Sequence, residues 1–148
     1  MGLRSVDPTD VDTMARTVYG EARGESIECQ AGVAWTILNR VVAARRDPGR
    51  HGWWGKSISA VCLKRFQFSC WLPGDPNLPQ IQAARLGELI FGRAYGVCLL
   101  ALSGDIPDPT GKATHYHDPS IQMPSAWSVL APVHGPAPMR WYREGSWS

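Results

Sequence analysis

The sequence predicts a mainly α (α+β) chain. A helical part spans about residues 7–104 and a small β or loop appendage about residues 105–148, all within a single domain (1–148). Three observations carry this. Apolar residues recur at the helical period between Asp7 and Val41, and a second apolar run fills residues 79–102. From Asp105 onward the pattern breaks into Pro- and Gly-rich turns around short alternating runs.

The first helix starts with Asp7 as N-cap and Pro8 at the first helical position, where a missing N–H does no harm. Val11, Met14, Ala15, Val18 and Ala22 make one buried face, and Gly24 ends the segment. A second helix opens at Ser26, with Glu28 in its first turn, where the helix dipole favours a negative charge. It carries Ile27, Ala31, Ala34, Leu38 and Val41 inward and ends before Asp47-Pro48-Gly49. The short connection folds the two into a helical hairpin.

Residues 47–56 read as a loop, Ser57 to Leu63 as a short helix, and residues 65–77 as irregular and aromatic. A third long helix is expected from Pro79 to Leu102, with Gly104 as its stop. Ala113 to His117 reads as a strand or an extended loop, and Met139 to Arg143 as a further strand.

With 148 residues the chain can bury a core without disulfides or metal, and 44% hydrophobic against 19% charged residues excludes a disordered composition. A net charge of +2 is too small to argue for nucleic acid, though it suits an anionic polymer. The opening MGLRSVDPTD has no apolar run behind a positive patch, so no secretory signal is expected. The longest apolar stretch, Leu86 to Leu102, is broken by Glu88, Arg93 and glycines. It falls short of the roughly 18 continuous apolar residues of a membrane span, so no membrane insertion is expected. Cys29 and Cys98 sit in apolar helical patterns and read as buried small hydrophobes. Cys62 and Cys70 flank a loop, and their pairing stays open. No cofactor is expected.

The stretch Tyr19-Gly20-Glu21-Ala22-Arg23-Gly24-Glu25 carries the chemistry. Glu21 falls at the edge of the first helix's apolar stripe and in its last turn, where the dipole disfavours a carboxylate. Glu25 adds a like charge four residues on. Burial, dipole and like charge all push the Glu21 pKa upward, while Arg23 opposes them. A carboxyl that holds its proton near neutral pH can protonate the leaving oxygen of a glycosidic bond. A solvated helix-end glutamate would fit composition equally well, but a poorly placed charge is a mark of function.

The segment from Ala15 to Val41, ARTVYGEARGESIECQAGVAWTILNRV, resembles the opening of the cell wall hydrolase family typified by spore-cortex-lytic enzymes. It has an aromatic residue, Glu-Ala-Arg-Gly-Glu, a Gln-Ala step and a closing Leu-Asn-Arg-Val. A second hallmark is Ile58-Ser59 with Val61, then Phe66-Gln67-Phe68-Ser69-Cys70-Trp71. A third is Asp108-Pro109-Thr110-Gly111, followed by His115-Tyr116-His117-Asp118-Pro119 and Trp127.

The resemblance implies a lysozyme/lytic-transglycosylase-like helical fold and cleavage of peptidoglycan glycan strands between N-acetylmuramic acid and N-acetylglucosamine. It implies Glu21 as the catalytic acid, with Glu25 as a second carboxylate, an orienting group or a residue that holds the turn. It puts Gln67, Phe68 and Ser69 near the cleft, where Phe66 and Phe68 can equally be core anchors. Tyr116 and His117 line the groove or are ordinary surface residues. Of the seven Trp, the loop residues Trp53, Trp54 and Trp71 suit sugar stacking, Trp35 suits the core, and Asn39 and Arg40 suit structural roles.

Cleavage is expected to be lytic, giving 1,6-anhydro ends, with a hydrolytic muramidase as the alternative. A zinc-dependent wall amidase or peptidase would draw on His51, His115, His117, His134 and Asp118. A non-catalytic wall-binding module would rest on the slight positive charge and the aromatics alone. The setting expected is a phage lysis or virion-associated enzyme, delivered by a separate membrane-permeabilising protein.

Overall fold

The computed structural model describes residues 6–145 and 147. Helix α1, Pro8–Ala22, starts where expected: the Asp7 carboxylate accepts from Thr9 N, and Pro8 occupies the first turn. Its predicted face is buried, with Met14, Ala15 and Val18 fully closed off. Helix α2, Ile27–Arg46, is capped by the Ser26 hydroxyl, which accepts from Cys29 N. Ala31, Ala34, Leu38 and Val41 are buried, but Ile27 is 45% exposed. At the first position of the helix its side chain projects outward, ahead of the packed stripe.

Residues 47–54 are not the loop expected. They form helix α3, Pro48–His51, and a 3-10 turn over Gly52–Trp54. Asp47 starts this segment by accepting from Arg50 N, a local cap strong enough to order a Pro-Gly stretch. The turn buries Trp54 to 2%, so Trp54 is a core residue and not a stacking candidate. Helix α4, Ile58–Leu63, is capped by Ser57 as expected. A further 3-10 turn covers Ser69–Trp71.

The single third helix becomes two, α5 (Leu78–Ala83) and α6 (Leu89–Ser103). The cause lies on α1. The Arg16 guanidinium, held by Asp12 at 2.8 Å, donates to the carbonyls of Ile81 (2.6 Å) and Ala84 (3.0 Å). Those carbonyls then need no helical partner, and the chain turns through residues 84–88 before α6 begins. Gly104 closes α6 in the left-handed region, as predicted. Trp35 is half-buried, its indole N–H donating to the Ile106 carbonyl at 3.0 Å.

The appendage is a three-stranded antiparallel sheet of order β1-β3-β2, with β1 at His115–His117, β2 at Ala131–Val133 and β3 at Arg140–Arg143. Sequence patterning missed β2, whose three residues Ala-Pro-Val are too short to show a period. Trp141 of β3 pins the sheet to α2. A Cβ on Gly32 would stand 2.5 Å from its Cη2 atom, so only glycine lets the indole lie against the helix. All four cysteines are free and buried, which settles the open pairing of Cys62 and Cys70 as two thiols. Among the described residues no helix is long and apolar enough to cross a membrane.

Candidate active site

The last turn of α1 is held close to its neighbours by Gly20. A Cβ there would clash with the Ile81 Cδ1 atom and stand 3.0 Å from the Cys70 Cβ and Sγ atoms. From α2, the buried Gln30 amide donates to the Ala22 carbonyl at 3.1 Å and satisfies an orphan acceptor of the helix end. Glu21 is thereby presented to a cleft of about 650 Å³. Gln67, Phe68 and Ser69 line this cleft, as do Tyr116 and His117, so the structure joins five of the sequence-predicted residues to Glu21.

Glu21 is a cleft carboxyl whose pKa is raised. Burial pushes its pKa up, and the negative charge of Asp75 adds to that. Two groups oppose the rise: the Tyr116 hydroxyl, which donates to Oε1 at 2.9 Å, and the Arg40 guanidinium. The sequence reading had the direction right and the neighbours wrong. The like charge is Asp75, not Glu25, and the opposing cation is Arg40, not Arg23. Arg23 turns away to donate to Asn77 Oδ1 at 2.7 Å and Gln80 Oε1 at 2.6 Å.

Glu25 does not line the cleft. Its N–H donates to the Ala22 carbonyl, and its own carbonyl accepts from Arg93, so it serves the turn between α1 and α2. Trp71 also stands outside the cleft. Its indole N–H donates to the buried Thr17 hydroxyl at 2.9 Å, which ties the 67–71 loop to α1. Phe68 is 3% exposed and packs in the core below the cleft, whereas Phe66 is 68% exposed with φ of +67°. A bulky residue in that left-handed region is a strained placement of the kind concentrated at binding sites.

Strand β1 divides its side chains by the alternation of a strand. Tyr116 pairs with Trp141 and points toward the helices and Glu21. His117 stacks on Tyr142, accepting from its hydroxyl at 3.0 Å while the other ring nitrogen donates to the Asp118 carbonyl. His115 is nearly closed off, packed edge-on against Trp54 and Trp127. Burial and the Arg40 charge lower its pKa to about 3, so it is neutral at any working pH. Trp53, Trp127 and Ile121 supply apolar surface at the cleft rim.

Arg40, expected to be structural, forms part of the cleft wall. It does tie the appendage to α2, donating from Nε to the Thr114 carbonyl at 2.7 Å, but it also holds Gln67 through Oε1 at 3.2 Å. Asn39 keeps its expected role, donating to Asp108 Oδ2 and to the Ala113 carbonyl, both at 3.0 Å. Asp108 in turn accepts from Thr110 and Lys112 backbone N–H groups, which explains the Asp-Pro-Thr-Gly turn. Sequence reasoning missed Asp75, gave Arg40 a structural role only, and weighed His115 only within its motif and as a possible zinc ligand. An arginine at an inward helical position was the one available signal.

Among the described residues no three His, Cys, Asp or Glu side chains gather as a metal ion would require. His117 has both ring nitrogens engaged within the protein. The ligand set supposed for a zinc enzyme does not come together.

The profile of the cell wall hydrolase family matches residues 24–134, a stretch that begins three residues after Glu21. The spore cortex-lytic enzyme of Halalkalibacterium halodurans is 32% identical over 118 residues, covering 80% of this chain and 29% of that protein. The corresponding enzyme of Bacillus cereus is 32% identical over 123 residues, covering 83% and 39%. The chain thus spans well under half the length of the curated relatives it matches. The solved catalytic domain of the germination-specific lytic transglycosylase SleB from Bacillus anthracis superposes with a TM-score of 0.73 at 25% identity, covering 95% of this chain and 98% of that one. The SleB catalytic domain from Bacillus cereus gives the same TM-score and identity, covering 96% and 95%. With the matched profile, the helical fold and the three motifs in agreement, this chain belongs to the cell wall hydrolase family.

Proposed function

We propose that the chain cleaves peptidoglycan glycan strands between N-acetylmuramic acid and N-acetylglucosamine, as a lytic transglycosylase with Glu21 as acid and then base. The observation that carries this is the Glu21 carboxyl: buried at the cleft, raised in pKa and oriented by Tyr116. Raising the pKa keeps the carboxyl protonated closer to neutral pH, where it can give its proton to the O4 leaving oxygen of N-acetylglucosamine as the bond to the muramic C1 breaks. The resulting carboxylate then takes the proton of the muramic 6-hydroxyl as that oxygen bonds to C1. This closes a 1,6-anhydro ring and returns Glu21 to its acid form. No water is consumed.

Support for the lytic outcome comes from the carboxyl inventory of the cleft. Besides Glu21, the lining includes Asp118, which accepts from Ser120 N at 2.8 Å and is held below the usual carboxylate range by that bond. Hydrolysis would ask a second carboxyl to act at about 5–9.5 Å from the first, and an Asp anchored in its own turn is ill suited to it. Gln67 and Ser69 offer polar groups to the sugar substituents, and Phe66, Trp53 and Trp127 offer faces for the rings. The curated relatives are spore cortex-lytic enzymes. They lend no support to the phage-lysis setting or to the delivery protein that such a setting needs.

The test compares wild type with Glu21→Gln on purified peptidoglycan, with product identification by mass spectrometry. A loss on the order of 10²–10⁴-fold is expected for removing the proton donor, with 1,6-anhydro muramic ends from the wild type. Full activity in the variant would end the assignment, and reducing muramic ends would turn the reading to hydrolysis.

A further inference from the structure

Arg40 is a buried charge without an ion-pair partner. It is 4% exposed, lies between the Trp54 and Phe68 rings at 5.7 and 5.3 Å from their centroids, and makes its hydrogen bonds to neutral oxygens. Among the described residues no carboxylate approaches it within 4.0 Å. Removing a guanidinium from water without a paired anion is costly, and an arrangement that only needed to tie α2 to Thr114 could do so with a neutral donor. Arg40 and Glu21 line the same cleft, and Glu21 is the carboxyl on which this charge acts through space.

Resting on the reading of Glu21 as the acid–base group, we infer that Arg40 is a positioning residue. Its fixed charge stabilises the Glu21 carboxylate once the proton has left, and its hydrogen bond turns the Gln67 amide so that the NH₂ faces the cleft.

A carboxyl that must first donate and then accept a proton needs both of its states within reach. Burial and Asp75 favour the neutral form, so without a counterweight the acid would hold its proton too firmly to release it to the glycosidic oxygen. Every group facing Glu21 can be assigned to a side. Arg40 from α2 and the Tyr116 hydroxyl from β1 favour the anion. Asp75, from the loop before α5, favours the acid, and the neighbouring Cys70 thiol is neutral, since burial pushes its pKa far above the ordinary range. A guanidinium suits the task because it stays charged when buried, whereas a lysine would tend to lose its proton. Burial lowers the Arg40 pKa only to about 10. The Gln67 bond has a second effect: with Oε1 accepting from Arg40, the amide orientation is fixed and its NH₂ donors are left for the substrate, which matches the acceptor oxygens of N-acetyl groups.

The experiment measures two pH dependences in wild type, Arg40→Gln, Arg40→Met and Arg40→Lys. One is the alkaline limb of kcat/KM on peptidoglycan; the other is the Glu21 carboxyl titration followed by ¹³C NMR. In the neutral variants both are expected to move to higher pH by about 1 unit, the lower end of the effect of one nearby opposite charge. In Arg40→Lys both are expected to move the same way but by less, because a buried ammonium keeps its charge only in part. A purely structural role would lower stability and leave the limb in place, and that result overturns the inference. Failure of both neutral variants to fold, with the lysine variant folded, overturns it too, because the charge would then be a requirement of the fold. If Glu21→Gln keeps full activity, the assignment of Glu21 falls. If Glu21→Gln is inactive while the neutral Arg40 variants titrate as wild type, only the role of Arg40 falls.

Discussion

Gly20→Ala places the smallest possible perturbation directly behind the acid. The added Cβ clashes with Ile81 Cδ1 and stands 3.0 Å from two Cys70 atoms. Ile81 is fully buried, so its terminal methyl has nowhere to swing, and Cys70 is fixed in the Ser69–Trp71 turn. Overpacking of this kind costs about 1–3 kcal/mol. Against it stands the gain of about 1 kcal/mol from replacing glycine by alanine within a helix. The net cost is roughly 0–2 kcal/mol, which for a chain of this size lowers Tm by at most about 8 °C.

The effect on rate should be out of proportion. Relief of the clash has to move the last turn of α1 away from Cys70 and Ile81, and Glu21 moves with it relative to Tyr116. A displacement near 1 Å at a catalytic group is worth about 10²-fold. The assay is release of soluble muropeptides at 25 °C, well below the melt, beside thermal unfolding by circular dichroism. A variant that is more stable than wild type and fully active would show that the close approach at Gly20 does not position the acid.

Tyr116→Phe removes the hydroxyl that favours the Glu21 anion, so the alkaline limb of activity should move to higher pH and kcat should fall about tenfold or more, consistent with a charge-assisted hydrogen bond of about 1.5–3 kcal/mol. Wild type and Glu21→Gln should diverge in stability as pH rises. The folded state holds the Glu21 proton more tightly than the unfolded chain, so the burial cost is absent below the ordinary value of 4.5 and appears as pH climbs through the raised folded value; Tm curves that stay parallel from pH 4 to pH 8 would contradict this. His115 works with the opposite sign. Its folded pKa of about 3 lies below the ordinary 6.5, so stability is full above pH 6.5 and falls at up to about 1.4 kcal/mol per pH unit on acidification toward pH 3. Denaturant titrations of His115→Gln should show a flatter slope over that window. Trp71→Phe should lower Tm through loss of the bond to Thr17 yet leave KM nearly unchanged, since the ring lies outside the cleft.

Much of the helical part was legible because each signal was local. Asp7-Pro8, Ser26 and Ser57 mark their helix starts, and the face of Val11, Met14, Ala15 and Val18 follows from period alone. The break between α5 and α6 was illegible for an equally physical reason. Its cause is a guanidinium from Arg16, 65 residues away in sequence, while the segment itself reads as continuous helix. Glu21 was legible as the candidate acid because a carboxylate at a helix C-terminus is electrostatically misplaced. Of its surroundings, Arg40 and Asp75 were not, since they come from other segments of the chain and no spacing relates them to Glu21, whereas Tyr116 was reached through its motif. Trp54 and Trp71 show the limit of loop position as a guide: a short turn closes off Trp54, and a hydrogen bond to Thr17 holds the half-buried Trp71 outside the cleft.

The bond between Tyr116 and Glu21 joins residues 95 positions apart. A folding intermediate holding the helices without the docked sheet would carry its acid undirected and its groove unfinished. Under the proposed function, glycan cleavage should therefore arrive only with the final docking event, and a partly assembled copy should be inert toward the polymer.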